Sequence, residues 1–287
     1  MVGRRFLQLF ALAEWQLILP LGLFFLAFFL APLVVLVVLS FQTEISLGRF
    51  TGVHYGKFLG DAFSLGILWD TMVLGVEVTM VCALFGIPLA WISARASPRF
   101  QPVLLFLVVL PILTSVVVRT FAWIVILGRQ GVMNKTLIWL GLVDEPLRLL
   151  FSEFGVVMVL AQVQMPLMVL PVLTTMQRLD PNLIDASAAL GAGQWRTFLR
   201  VVLPLSLPGI VAGAILVFAA CVTAFVTQTL IGGARLVYMP LYIYQQAIGA
   251  NNWPFAAAIS VVFLVCVLFA IYLLSLVGRA SRGYVHA

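Results

Sequence analysis

The sequence predicts an all-α, polytopic membrane protein with six spanning helices and both termini in the cytoplasm. Three observations carry this reading. Hydrophobic residues fill 63% of the 287 positions, charged residues only 9%, and the mean hydropathy is +1.17. A soluble domain carries about 25% charged residues. The apolar residues lie in continuous runs, each near the roughly 20 residues that a spanning helix needs; the short alternating segments of a β-barrel are missing. Basic residues are also spread unevenly between alternate connecting segments.

Each element can be justified in turn. The first run, about 15–41, follows a short basic lead-in over residues 1–14. It is too long for the apolar core of a signal peptide and no small-residue cleavage site follows, so it reads as a true helix. Residues 42–69 form an outer loop, where Tyr55 and Trp69 suit the interface. The second span, 70–95, ends at a tight inner turn, Ser97-Pro98, and the third, 102–127, contains Pro111. A second outer loop, 128–154, holds a candidate surface helix over Val132–Leu142. The fourth span, 155–177, contains Pro166 and Pro171; prolines kink a helix and free backbone groups that neighbours must satisfy. The fifth, 204–230, opens on Pro204 and Pro208 and carries a Gly209/Gly213 pair of the GxxxG type. Such a pair permits close helix approach, either within the chain or to another subunit. The sixth runs over 255–278.

With the N-terminus inside, the inner segments hold nine basic residues: Arg4, Arg5, Arg95, Arg99, Arg178, Arg196, Arg200, Arg279 and Arg282. The outer loops hold six, namely Arg49, Lys57, Arg129, Lys135, Arg148 and Arg235, matched by Glu44, Asp61, Asp70, Asp144, Glu145 and Glu153. The inner excess orients the chain. The basic balance is thus a topology signal and does not point to nucleic acid. Connecting stretches stay below thirty residues, so the whole of 1–287 reads as one transmembrane domain. Cys82, Cys221 and Cys266 fall inside spans and behave as small hydrophobes. His54 and His286 lie far from any metal-ligand spacing.

Residues 180–204 break the apolar pattern. Asp180-Pro181 has the chemistry of a helix start, an acidic cap before a proline at the first helical position. A short helix over 181–190 then ends at Gly191, which suits a left-handed residue. A second helix begins near Gln194; its Arg196 and Arg200 lie four apart on one face, and Leu203-Pro204 leads into the fifth span.

This stretch resembles the EAA motif of permease subunits in ABC importers, which reads E-A-A, three residues, G, nine residues, I-x-L-P. Here Asp185-Ala186-Ser187 is followed after three residues by Gly191, and after nine more by Val201-Val202-Leu203-Pro204. The spacing is kept; Asp, Ser and Val replace Glu, Ala and Ile. The stretches GIPLA (86–90), RTFAW (119–123), MPLMVLP (165–171) and NWP (252–254) are similar to the spermidine/putrescine subfamily, and most of all to its first permease subunit. The resemblance implies a type I ABC importer permease fold in the bacterial inner membrane. It implies that Asp185, Ala186, Ser187, Gly191, Arg196, Leu203 and Pro204 belong to a coupling segment seated on an ATPase. It also implies two ATP-binding cassette subunits holding ATP and Mg, a second permease subunit, often a different chain, and an external binding protein that delivers a small, polyamine-like cation.

The chain itself carries no Walker A pattern; its lysines, Lys57 and Lys135, lack that context. It carries no catalytic constellation either, so it is expected not to be an enzyme and to hold no cofactor or metal. Inside the bilayer, Glu77 and Arg119 stand out because buried charge is costly there. Counted from the outer ends of their spans they lie at similar depth, and they admit two readings, a structural ion pair or part of the path. Ser115, Arg119 and Trp123 share a helical face. Gln162, Gln164, Thr223, Thr227 and Gln228 are further path candidates, each equally able to bond between helices. Another small solute (an amino acid derivative, a phosphonate or iron) fits the same class, and a self-sufficient secondary transporter is the alternative outside it.

Overall fold

The computed structural model describes residues 19–43 and 49–282, the side chains of 277 and 279–282 excepted. The basic lead-in with Arg4 and Arg5, the start of the first span, Glu44, and the side chains of Arg279 and Arg282 lie outside the described residues. The helices are α1 (Leu19–Ser40), α2 (Val53–Leu59), α3 (Ala62–Arg95), α4 (Gln101–Leu113), α5 (Val116–Leu127), α6 (Val132–Trp139), α7 (Glu153–Gln177), α8 (Pro181–Ala189), α9 (Gln194–Leu205), α10 (Leu207–Val222), α11 (Phe225–Gly232), α12 (Met239–Tyr244) and α13 (Trp253–Arg282). Among the described residues α1, α3, α7 and α13 are each long and apolar enough to cross a membrane, the stretch Val116–Trp139 that holds α5 and α6 makes a fifth, and the bent pair α9/α10 taken as one crossing makes a sixth.

Two compact units divide the chain. The smaller takes the described part of Met1–Asp61 together with Ile243–Val262. Within it, the chain after α1 is pinned by side chains: Ser40 Oγ and the Tyr55 hydroxyl share a 2.6 Å hydrogen bond, and a His54 ring nitrogen lies 3.0 Å from the Gln42 carbonyl oxygen. Lys57 sits 4.6 Å from the centre of the Phe255 ring, a cation–π contact.

The larger unit, Ala62–Tyr242 with Phe263–Ala287, holds the core. Here α3, α7 and α10 pack on one another around Leu74, Val78, Val156, Leu160, Met168 and Val217. Lipid tails are as apolar as leucine, so this packing rests on close fit and not on escape from water. The GxxxG pair supplies the fit inside this chain. A Cβ on Gly209 would strike Thr175 Oγ1 and come within 2.7 Å of the Pro171 carbonyl oxygen, and one on Gly213 would meet Met168 Sδ at 2.9 Å. Both glycines therefore face α7.

Three spans differ from the sequence expectation. The second begins at Ala62, eight residues early, because Ser64 finds the Tyr242 hydroxyl at 2.8 Å and needs no water. The third is broken. Thr114 and Ser115 are extended, which leaves α4 with 13 residues and α5 with 12, too short to cross singly at 1.5 Å per residue. The fifth starts only at Leu207, after a 67° bend from α9, and ends at Val222 before a break at Thr223-Ala224. Pro208 cannot donate the helical hydrogen bond to the Pro204 carbonyl, which favours a bend at Ser206.

The segment between α5 and α7 carries a short helix, α6, within the stretch expected to hold one. Asn134 ties it down. The side chain is fully buried, donates from Nδ2 to the Gly128 and Leu147 carbonyls at 3.1 and 3.0 Å, and accepts the Leu147 N–H at 2.9 Å. Asn134→Ala is expected to cost about 1–2 kcal/mol, because it leaves three partly buried backbone groups without their partner. Thermal unfolding of the detergent-solubilised protein measures this; an unchanged midpoint refutes the role.

Candidate functional site

The polar segment after α7 folds as its residues dictate. The Asp180 carboxylate accepts the Asn182 N–H at 2.9 Å, Pro181 occupies the first turn, and α8 closes at Ala189. Gly191 has φ +80° and donates its N–H to the Ala188 carbonyl at 2.9 Å. That conformation costs an L-residue about 1–2 kcal/mol. Gly193 is extended, and α9 begins at Gln194.

Side chains then lock α8 against α9. Ser187 and Thr197 share a hydrogen bond of 2.8 Å. Leu183, Ala186, Ser187, Leu190, Arg196 and Arg200 line a hollow of about 400 Å³, so the motif residues Ala186, Ser187 and Arg196 meet across it. Asp185 stays exposed. Leu203 and Pro204 end α9, ahead of the bend, rather than opening α10.

The pair is fastened to the bundle through rings. Phe198 of α9 lies 4.5 Å from the Trp91 ring at the C-terminal end of α3, and Trp195 lies 5.5 Å from Phe198. Arg95, one turn beyond Trp91, covers the Trp91 face at 4.9 Å. Two large apolar side chains remain uncovered among the exposed polar ones: Leu190 is 89% exposed and Trp195 65% exposed. A rigid two-helix element thus presents greasy side chains at the end of the bundle.

Within the bundle, the candidate residues separate by role. Arg119 does not pair with Glu77. Its Nη1 donates to the Pro111 carbonyl and to Thr114 Oγ1, across the break between α4 and α5. The break has freed that carbonyl, and the guanidinium replaces the lost partner. At the other break Gln228 donates from Nε2 to the Cys221 carbonyl at 2.8 Å at the end of α10, adding to the Ala224 N–H that reaches the same oxygen at 3.0 Å. Both residues are helix caps in this fold. Thr120 and Thr227 approach to 3.4 Å and tie α5 to α11, and Trp123 donates to Gln162 Oε1 at 3.3 Å, tying α5 to α7. Thr223 bonds back to the Ala219 carbonyl at 2.8 Å, Gln164 is buried in α7, and Ser115 is exposed at the first break. Glu77 is half-buried, and its Oε2 has no hydrogen-bond partner.

The family of binding-protein-dependent transport system inner membrane components matches residues 86–282. The chain belongs to that family. It is a permease subunit of an ABC importer, multi-pass in the bacterial inner membrane, and ATP hydrolysis belongs to other subunits. Among the relatives of this permease, the spermidine/putrescine transport system permease protein PotB of Haemophilus influenzae is 34% identical over 209 residues, 72% of this chain and 73% of that one. The inner membrane ABC transporter permease protein YdcU of Escherichia coli is 36% identical over 221 residues, 72% of this chain and 69% of that one. A solved bacterial ABC transporter that imports the acidic polysaccharide alginate shares the fold, with a TM-score of 0.75 at 18% identity, covering 93% of this chain and 95% of that one.

The permease also holds functional geometry that its sequence did not single out. The Trp91/Arg95 pair and the Ser187–Thr197 bond position the α8–α9 segment. A four-residue spacing of Trp and Arg just before the inner turn was a readable signal for the first; the second joins residues ten apart through a turn.

Proposed function

We propose that this permease subunit forms half of the path for a small polyamine-like cation, and that α8 and α9 receive the push of an ATP-hydrolysing partner. The observation that carries the coupling role is the locked α8–Gly191–α9 element with Leu190 and Trp195 bare at its surface. Exposed apolar side chains on a polar segment suit a groove on a soluble partner. The partners would be two ATP-binding cassette subunits holding ATP and Mg, a second permease subunit of different sequence, and an external substrate-binding protein. Both termini and the α8–α9 end would then lie in the cytoplasm, in keeping with the excess of arginine there. The polyamine assignment is supported by the names of the relatives and by Glu77, a carboxylate without a partner. Of the other candidates, Ser115, Trp123, Gln162, Gln164, Thr223 and Thr227 remain available to the path, while Arg119 and Gln228 serve the breaks.

The test is uptake of labelled spermidine into proteoliposomes holding the complete assembly, with and without ATP. The expected result is uptake that requires ATP and the binding protein. Transport by this chain alone, or ATP-driven uptake that ignores spermidine, refutes the coupling or the cargo assignment respectively.

A further inference from the structure

The segment between α11 and α12 joins two helix ends far from the coupling segment. At one side the Phe151 N–H donates to the Ile231 carbonyl at 3.1 Å, two residues before Glu153 opens α7. At the other the Met239 N–H donates to Thr71 Oγ1 at 2.9 Å, one residue after Asp70 on α3. Tyr238 is thereby held between the two helices. Its ring and Val156, one turn beyond Glu153, both border the same side of Gly232: a Cβ built there would lie 3.8 Å from Tyr238 Cε2 and 3.6 Å from Val156 Cγ2. Tyr238 is 4% exposed, yet its hydroxyl makes no hydrogen bond. Burial, and then the charges of Glu153, Asp70 and Glu77, keep that hydroxyl protonated far above the ordinary phenol range.

These two backbone ties set Tyr238 beside the ends of α3 and α7 that carry Asp70 and Glu153, and Glu77 lies two turns along α3 from Asp70. Asp70 and Glu77 are seven residues apart, so they share a face of α3 and stand roughly 10 Å apart along it. None of the three forms an ion pair among the described residues, and Glu77 Oε2 has no hydrogen-bond partner among them. They do not converge: no three Asp, Glu, His or Cys among the described residues are placed to hold a metal ion. Negative charge spread along a line complements several positive charges spread along a chain, not one compact cation.

We propose that Asp70, Glu77 and Glu153, with the Tyr238 hydroxyl between them, form a binding site for a linear polyamine at the end of the bundle away from α8 and α9. The ammonium groups take the carboxylates, and the methylenes pass over the edge of the Tyr238 ring. The hydroxyl accepts from one ammonium group. Cargo released by a binding protein would meet this site before any deeper part of the path.

The site rests on the polyamine reading above, and the test separates the two. Equilibrium binding of labelled spermidine and putrescine is measured on the purified permease–ATPase assembly without binding protein, with uptake by the complete assembly in parallel. Glu77→Gln is expected to raise the spermidine Kd about tenfold, and the exposed Asp70→Asn and Glu153→Gln about threefold each. The rise should be smaller for putrescine, which carries fewer charges; a folding defect would weaken both alike and lower ATP hydrolysis. Tyr238→Phe, which keeps the ring, should raise the spermidine Kd about threefold and guards against misfolding of the charge variants. A wild-type spermidine Kd in Glu77→Gln and Tyr238→Phe, or displacement of spermidine by equimolar Mg²⁺, overturns the site and leaves the cargo reading intact if uptake persists. A wild-type assembly that takes up neither amine overturns both.

Discussion

Gly191→Pro is expected to abolish ATP-driven uptake, by about a hundredfold or more, while the protein still inserts. Proline fixes φ near −65°, whereas Gly191 sits at +80°. Proline also removes the N–H that closes α8 onto the Ala188 carbonyl. The combined cost exceeds about 3 kcal/mol, and the segment must adopt another bend. The change falls outside the apolar spans, so membrane insertion should survive it. Gly191→Ala separates strain from blockage, since a Cβ there meets nothing within 4 Å. Only the left-handed backbone then opposes it, by about 1–2 kcal/mol, and partial uptake is expected. Gly193→Ala is the control, because that residue has φ −67° and open space around it. Uptake per mole of inserted permease is the measurement. Full uptake by Gly191→Pro refutes the mechanical role of the bend.

The second large effect belongs to Gly209. Gly209→Val is expected to lower the amount of folded permease in the membrane about tenfold. The first added carbon already meets the Pro171 carbonyl oxygen at 2.7 Å and the Thr175 side chain. Overpacking costs about 1–3 kcal/mol where neighbours can shift, and a carbonyl inside α7 shifts poorly. Gly66→Val on α3 is the comparison, since its Cβ meets nothing within 4 Å. Size-exclusion profiles of both variants in detergent decide the matter. A normal profile for Gly209→Val would mean that α7 and α10 tolerate separation.

The contrast between these two glycines shows what could be read from sequence and what could not. Gly191 was legible because its setting is local: a cap at Asp180, a proline, nine helical residues, then a stop. Every force that shapes the bend lies within a few residues. The GxxxG pair announced close approach, but the identity of the neighbour is a tertiary fact, and only the fold turns Gly209 toward Pro171. The breaks at Thr114-Ser115 and Thr223-Ala224 were invisible for a related reason. Hydropathy averages over about twenty residues, and two polar residues inside such a window hardly alter it. The breaks are held by Arg119 and Gln228, whose partners depend on helical phase. The same blindness allowed Glu77 and Arg119 to look like a pair. Equal depth says nothing about which way each helix turns.

Those two capped breaks bear on how such a bundle can move in a solvent that offers no hydrogen bonds. Bending an intact helix in lipid bares peptide groups, each at a cost of several kcal/mol. At Pro111 and Cys221 the carbonyls beside the breaks already hold a guanidinium and an amide, and both donors ride on flexible side chains. If α11 swings and the Ala224 N–H leaves the Cys221 carbonyl, the Gln228 amide still holds that oxygen, as the Arg119 guanidinium holds Pro111 when α5 swings. The membrane has been relieved in advance of its objection to motion at two levels of the bundle, and under the proposed coupling role a push received at α8 and α9 would have compliant joints to travel toward.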